Sequence, residues 1–223
     1  MQKCIATYFQ ANNVNQVMLF ERADRLGHAQ SLEPTGLNST LPSFLTDLLS
    51  TLSTSLRPVL PSKTHALLFP SPSGTAFARQ VIINHYLPGE GITPHVDLLD
   101  RFGDGIIGVS MGSGCVMRFR KVEYDDDLDL DDDHHGDAQK QKEWDVYLPS
   151  GSVYVMTEEA RYEWTHEIEK RMEDWVEAGL DPDDTSSEGG SAGVGKRIPR
   201  SVRVSITFRW LLPGADVVGT SDA

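Results

Sequence analysis

The spacing of apolar residues along the chain changes near residue 79. Residues 41–52 (LPSFLTDLLSTL) place Leu and Phe three and four positions apart, a pattern that predicts an amphipathic helix. From Arg79 onwards, short runs rich in Val, Ile and Phe are separated by Gly, Pro, Asp and Ser, as in strands joined by turns. These runs are RQVIINHYL, IIGVSMGS, CVMRFRKV, WDVYLPS, SVYVMT and RVSITFRWL. The series predicts a mainly β fold, a sandwich or jelly roll, with flanking helices.

Two acidic segments interrupt this series. Residues 123–137 (EYDDDLDLDDDHHGD) contain nine acidic residues and no Lys or Arg, and residues 167–188 contain nine against Lys170 and Arg171. Subtracting these charges, −9 and −7, from the net charge of −13 leaves +3 for the rest of the chain. A near-neutral framework does not exclude a nucleic-acid partner. We expect 125–133 to be a solvated insert and 181–197 to be a flexible linker, with neither contributing to the core.

A single domain accounts for the 223 residues. We predict an N-terminal lid and helix over residues 1–78 and a jelly-roll core over residues 79–212, with acidic inserts at 123–137 and 167–197. The first ten residues lack the apolar run of a signal peptide, and no stretch reaches the ~18 apolar residues of a membrane span. We therefore expect a monomeric intracellular protein of the cytoplasm or nucleus, with no membrane partner.

The segment ITPHVDLL carries the strongest chemical signal. Thr93 precedes a proline, which favours an extended backbone, and side chains two positions apart on an extended chain share a face. His95 and Asp97 can therefore converge on one point, although a chance pair of surface residues would give the same short pattern. Two histidines and a carboxylate form the facial triad of non-haem Fe(II) oxygenases. Since the chain has only two cysteines, a metal site would have to use such ligands.

Other segments could complete this site. Asn84 and Tyr86 share one face of the predicted strand VIINHY, and His166 follows the strand SVYVMT through RYEWTH. In RVSITFR, polar and apolar residues alternate, and the polar ones are Arg203, Ser205, Thr207 and Arg209. Two interpretations fit this alternation. It could be an edge strand with its polar face in water, or a strand whose arginine pairs with a small dicarboxylate inside the barrel.

Taken together, NHYLPGEGITPHVD, VSMGS, LPSGSVYVMT, RYEWTH and RVSITFR resemble the AlkB-like Fe(II)- and 2-oxoglutarate-dependent dioxygenases, over roughly residues 81–120 and 144–211. The resemblance implies a double-stranded β-helix with an N-terminal substrate lid. It also implies an enzyme that uses Fe(II), 2-oxoglutarate and O₂ to hydroxylate or demethylate its substrate. The iron ligands that it implies are His95, Asp97 and His166. The 2-oxoglutarate contacts that it implies are Asn84, Tyr86, Arg203, Ser205 and Arg209, with Arg203 pairing the distal carboxylate.

Two departures from the family pattern bear on the substrate. Members that repair alkylated bases commonly read HxDxD, whereas the second Asp is replaced here by Leu99. The connection between His166 and Arg203 is also longer than in compact members. The resemblance favours modified nucleic acid (RNA, tRNA or DNA), and NHYLPGEGI and RYEWTH are especially similar to a branch that includes a tRNA-wobble-modifying hydroxylase. A protein substrate and a catalytically idle binding module are the alternatives.

Overall fold

The computed structural model describes residues 1–10, 12–21, 41–70, 78–122, 142–177 and 195–215. The helices in these ranges are α1 (Gln2–Cys4), a π-helical segment (Ile5–Gln10), α2 (Ser43–Leu56), α3 (Ser62–Leu68) and α4 (Glu159–Tyr162). The strands are β1 (Gln16–Glu21), β2 (Arg79–Tyr86), β3 (Ile92–His95), β4 (Phe102–Gly112), β5 (Cys115–Lys121), β6 (Glu143–Leu148), β7 (Val153–Met156), β8 (Trp164–Ile168), β9 (Glu173–Glu177), β10 (Gly195–Pro199) and β11 (Arg203–Leu211). The helix predicted from residues 41–52 is confirmed as α2.

Five strands form the larger antiparallel sheet, which we call the major sheet, in the order β1, β2, β11, β4, β7. β11 lies at its centre, between β2 and β4, so that Arg203 stands opposite both Tyr86 and Gly112. The alternative interpretation of RVSITFR as an edge strand is therefore wrong. Because both neighbours of β11 are strands, its side chains can reach only the two faces of the sheet.

The major sheet has one apolar face and one polar face. On the apolar face, Val204, Ile206 and Phe208 of β11 belong to the main hydrophobic core, together with Leu45 of α2 and Leu68 of α3. Side chains alternate along a strand, so the polar residues of β11 point to the opposite face. The helices thus fix the direction in which the arginines of β11 project.

Four strands form the second sheet, the minor sheet, in the order β3, β8, β5, β6. Met117 and His166 of the minor sheet line the same cavity as Tyr154 and Arg203 of the major sheet, so the two sheets face each other across it. Two facing antiparallel sheets with helices outside confirm the mainly β, jelly-roll prediction. None of the helices in the described ranges is both long and apolar enough to cross a bilayer.

Two parts of the chain contribute more to the fold than the sequence analysis expected. Residues 16–21, placed in the predicted lid, pair with β2 as an edge strand of the major sheet. In the second acidic segment, β8 extends to Ile168, and β9 pairs with β10 in a two-stranded sheet. Ile168 and Val176 are buried, so residues 167–177 of the predicted insert contribute to the core.

The predicted insert at 123–137 and residues 178–194 of the second insert lie outside the described residues. The predicted substrate lid also stays a prediction, because residues 22–40 are outside the described ranges.

Candidate active site

One cavity of about 560 Å³ lies between the two sheets and brings together the residues singled out from the sequence. Its lining includes His95, Asp97 and His166 from the minor-sheet side, and Asn84, Tyr86, Arg203, Ser205, Thr207 and Arg209 from the major sheet. Residues from four separate motifs therefore meet in one place. The minor sheet contributes the two imidazoles, and the major sheet contributes the two guanidinium groups.

The two histidines face each other because of strand pairing. β3 and β8 are antiparallel, and His95 is the direct partner of His166 in their register. Directly opposed residues project on the same side of a sheet, and the two ring centroids are 4.3 Å apart. Gly91 permits this pairing, since a Cβ at that position would lie 2.1 Å from the Ile168 carbonyl oxygen. The placement of the two imidazoles is thus set by the backbone.

Each of the two rings can present a nitrogen to a metal. His95 Nδ1–H donates a hydrogen bond to the Thr93 carbonyl oxygen at 2.9 Å, which leaves the Nε2 lone pair free. Burial, followed by the neighbouring His95, lowers the pKa of His166 to about 4. At neutral pH His166 is therefore uncharged and has a lone pair available for a cation.

A buried arginine that sequence reasoning missed fixes the loop after β3. Arg161 is 1% exposed, and its guanidinium donates to the carbonyl oxygens of Asp97 (3.1 Å), Leu98 (3.2 Å), Phe102 (2.9 Å) and Gly103 (3.2 Å). These four bonds hold the backbone that carries Asp97. The motif RYEWTH contains Arg161, but its partners are carbonyls some 60 positions earlier, and no local pattern marks them.

The Asp97 carboxylate is turned towards the major sheet. It accepts a hydrogen bond from Arg209 Nη1, and Arg209 Nη2 donates to Gln80 Oε1 at 2.8 Å. His95 Nε2 and Asp97 Oδ1 are 4.0 Å apart. Ligand atoms of one cation lie about 3 Å apart when each bond is about 2.0–2.2 Å. Accordingly, no three His, Cys, Asp or Glu side chains in the described part of the chain are already spaced for a metal.

The donor set nevertheless fits Fe(II) in kind. Two neutral imidazoles and one carboxylate are the ligand types of the facial triad, and all three border the same cavity. Rotation of the Asp97 side chain from Arg209 towards His95 would close the remaining gap. Arg209 therefore contacts the carboxylate that the resemblance assigns to the metal, and it can orient that group.

Arg203 is the residue of the cavity that best fits an anion. It is 4% exposed, and its Nε donates to Ser110 Oγ at 2.9 Å. Its two terminal nitrogens, Nη1 and Nη2, are buried and make no hydrogen bond among the described residues. Leaving a buried charged donor unpaired is costly, whereas a carboxylate can take both nitrogens of the fork at once. The cavity thus fits one end of 2-oxoglutarate.

The remaining predicted residues border this arginine. The Tyr86 ring lies 5.2 Å from the Arg203 guanidinium carbon, and burial raises the pKa of Tyr86, so its hydroxyl stays a donor. Asn84 Oδ1 accepts a hydrogen bond from Gln16 Nε2 at 2.8 Å. Sequence reasoning missed Tyr154, whose pKa burial raises to about 12 and whose ring fills the space above Gly108.

Comparison with known proteins identifies the family to which this chain belongs. The model of the 2OG-Fe(II) oxygenase superfamily matches residues 30–209. An uncharacterized protein of Acanthamoeba polyphaga mimivirus is 36% identical over 130 residues, which cover 58% of this chain and 47% of that protein. The tRNA (carboxymethyluridine(34)-5-O)-methyltransferase ALKBH8 of Mus musculus is 37% identical over 132 residues, covering 58% and 17%. The N6-methyladenosine RNA demethylase ALKBH of Cryphonectria parasitica is 30% identical over 116 residues, covering 48% of each chain.

These matches confirm the resemblance drawn from the motifs. The family match spans most of the chain and includes every residue that was predicted for the site. The chain matches less than half the length of each of these relatives. The chain belongs to the 2OG-Fe(II) oxygenase superfamily, whose members use Fe(II), 2-oxoglutarate and O₂.

Proposed function

We propose that this oxygenase oxidises a modified nucleotide of nucleic acid, RNA in particular, with His95, Asp97 and His166 as its iron ligands. The observation that carries the proposal is the unsatisfied fork of Arg203, which faces the same cavity as the two paired imidazoles. An anion site and a His/carboxylate set in one cavity are what an iron enzyme with a dicarboxylate cosubstrate requires.

Each residue has a distinct task in this proposal. Bound Fe(II), with 2-oxoglutarate and O₂, supplies an oxidant for a substrate C–H bond; an oxidised N-methyl group is lost as formaldehyde. His95 and His166 offer neutral nitrogen donors, and Asp97 adds the negative charge. Arg203 takes the distal carboxylate of 2-oxoglutarate, and Tyr86 donates a hydrogen bond beside it. Asn84, Ser205 and Arg209 complete the polar wall around the cosubstrate.

The substrate class rests on two supports. The relatives from Mus musculus and Cryphonectria parasitica bear names that refer to tRNA modification and RNA demethylation. The framework outside the two acidic segments carries a net +3, which tolerates a polyanion. Leu99, an exposed residue in place of the second Asp of HxDxD, offers no acceptor for a base edge. Recognition must therefore depend on other contacts than that carboxylate.

The test is a substrate screen with the full chain. Purified protein with Fe(II), ascorbate and 2-oxoglutarate is incubated with methylated RNA, methylated DNA and methylated peptides, and mass spectrometry detects oxidised products and formaldehyde. We expect product from RNA, and none from the His95→Ala variant. Turnover of the peptides alone would replace the proposed substrate class with protein. Succinate formation in His95→Ala at the parental rate would contradict the assigned iron ligands.

A further inference from the structure

A second cavity, of about 380 Å³, adjoins the site on the side of β1. It shares His95, Asp97 and Arg209 with the main cavity. Its other walls come from β1 and from the loop after β3, and they include Met18, Phe20, Leu98, Arg101 and Phe102. Its volume is within the range of about 300–1,000 Å³ that ligand pockets have. The cavity thus offers binding space directly beside the reacting centre.

One wall of this cavity is apolar and faces water. Met18, Phe20 and Leu98 are all exposed. β1 is an edge strand, and such a strand ordinarily turns polar residues outward. In β1, however, Val17 and Leu19 pack against the main core, and Met18 and Phe20 on the cavity side of the strand are also apolar. Contiguous exposed apolar side chains around a cavity are typical of a binding surface.

The second cavity also contains a cationic side chain, Arg101, that has no ion-pair partner among the described residues. Arg101 makes no ion pair within the described ranges, and its Nε is buried without a hydrogen bond. Arginines of the minor sheet such as Arg118 and Arg120 are instead paired with carboxylates. The backbone of Arg101 is fixed, since its N–H donates to the Leu98 carbonyl and its own carbonyl accepts from Leu212 N–H at 3.0 Å. The backbone that carries this guanidinium is therefore fixed at the cavity wall.

We propose that this cavity binds a nucleotide of single-stranded RNA adjacent to the one that is oxidised, an inference that rests on the proposed function. Met18 and Phe20 contact the face of the base, and Arg101 pairs with its phosphate. Stacking on apolar or aromatic side chains and a cation on the backbone are the two contacts that single-stranded recognition combines. A duplex is disfavoured, because its bases remain stacked on one another and hide their faces.

The experiment measures binding directly, without turnover. A fluorescently labelled, unmodified single-stranded RNA of about 12 nucleotides is titrated with the full chain, and anisotropy is recorded at several salt concentrations. Arg101→Gln should weaken binding about tenfold and reduce the slope of log K against log salt by about 0.7, the value for one phosphate contact on a single strand. Phe20→Ser should weaken binding about tenfold and leave the slope unchanged.

Two control variants make the result specific. Arg57→Gln removes an exposed arginine that borders a separate surface cavity beside α2 and α3, and this variant should bind RNA as the parent does. Arg101→Lys keeps the charge and should retain the parental salt slope. A melting curve for each variant establishes that the fold is kept, which is expected because Phe20 is exposed and Arg101 has no partner to lose.

The outcomes separate this inference from the proposed reaction. Parental affinity in Arg101→Gln, equal losses in Arg101→Gln and Arg57→Gln, or no RNA binding by the parent overturns the inference. Binding of an acidic peptide in place of RNA, with loss in Arg101→Gln, also overturns it and indicates a protein substrate. If RNA binding depends on Arg101 but no RNA is oxidised, the nucleotide site stands and the proposed reaction fails.

Discussion

The two sheets that enclose the cavity are stabilised in different ways. The major sheet packs against helices through thirteen buried hydrophobic residues among the described ones, whereas the cluster on the inner side of the minor sheet has four. The minor sheet instead carries ion pairs on its outer surface, such as those of Arg118 with Glu143, Asp145 and Glu169. The major sheet therefore depends on apolar burial, and the minor sheet depends more on charge.

This difference coincides with the division of chemistry in the site. The major sheet, which packs on the larger apolar core, carries Arg203, whose fork needs a fixed direction to meet a carboxylate. The minor sheet carries both imidazoles, which a cation can draw together. Variants of the minor-sheet histidines should consequently lose metal binding, whereas variants of Arg203 should lose affinity for 2-oxoglutarate. The predictions below test that separation.

The largest effect is expected from the minor sheet. His166→Ala removes one of two neutral nitrogen donors, so Fe(II) binding and 2-oxoglutarate turnover should fall below detection. The melting temperature of the metal-free protein should change little, because the side chain borders an open cavity. Thr165→Ala, on the same strand, is the matched control and should keep iron. Isothermal titration with Mn(II) and a succinate assay measure both. Full turnover in His166→Ala would contradict the metal assignment.

A truncation in each core compares the two sheets directly. Leu45→Ala, in the large cluster under the major sheet, should reduce the free energy of unfolding by about 2–5 kcal/mol. Leu148→Ala, in the small cluster of the minor sheet, should cost less, because fewer buried neighbours surround the lost methyl groups. Urea unfolding of both variants gives the two values. Equal losses would refute the contrast between the sheets.

Arg203, proposed to bind 2-oxoglutarate, should give an intermediate effect that is confined to this one ligand. Arg203→Lys keeps the charge but loses the planar fork, and each charged hydrogen bond contributes about 1.5–3 kcal/mol. The KM for 2-oxoglutarate should therefore rise about 10- to 100-fold, with Mn(II) affinity unchanged. Arg197→Lys, at an exposed arginine paired with Glu173, serves as the control. A parental KM for 2-oxoglutarate in Arg203→Lys would contradict the assignment of Arg203 as the partner of its distal carboxylate.

The smallest effect is expected on the surface of the minor sheet. Arg118→Gln should lower the free energy of unfolding by about 1 kcal/mol or less at low salt, since solvent screens such pairs. In 1 M NaCl the difference from the parent should nearly vanish. Urea unfolding at the two salt concentrations checks this. A loss that persists at high salt would show that Arg118 acts through packing.

The strands that could be predicted from the sequence are those in which polar and apolar residues alternate regularly. RVSITFR alternates strictly, and its two faces are the core and the cavity. β1 was missed because QVMLFE is apolar on both faces, so it shows no period of two. β9 was missed because acidic composition hid an alternation in which Asp174 and Val176 are buried.

Site residues could be predicted where they belong to one short motif. Contacts between residues that lie far apart in the chain could not be predicted. His95 and Asp97 are two positions apart, and their shared surroundings follow from that spacing. Buried Asp174 is neutralised by Arg200, 26 positions later, with bonds of 2.6 and 2.8 Å. Arg161 likewise reaches carbonyls far away in the chain. Such pairings depend on the folded topology, which residue patterns do not encode.

The charges that line the main cavity have a kinetic consequence. Its described lining carries Lys170, Arg203 and Arg209 against one carboxylate, Asp97, inside a chain with a net charge of −13. Low-dielectric walls focus the field of such charges, so a dianion is drawn in and a divalent cation is repelled. The association rate of 2-oxoglutarate should thus fall as ionic strength rises, while iron loading should accelerate.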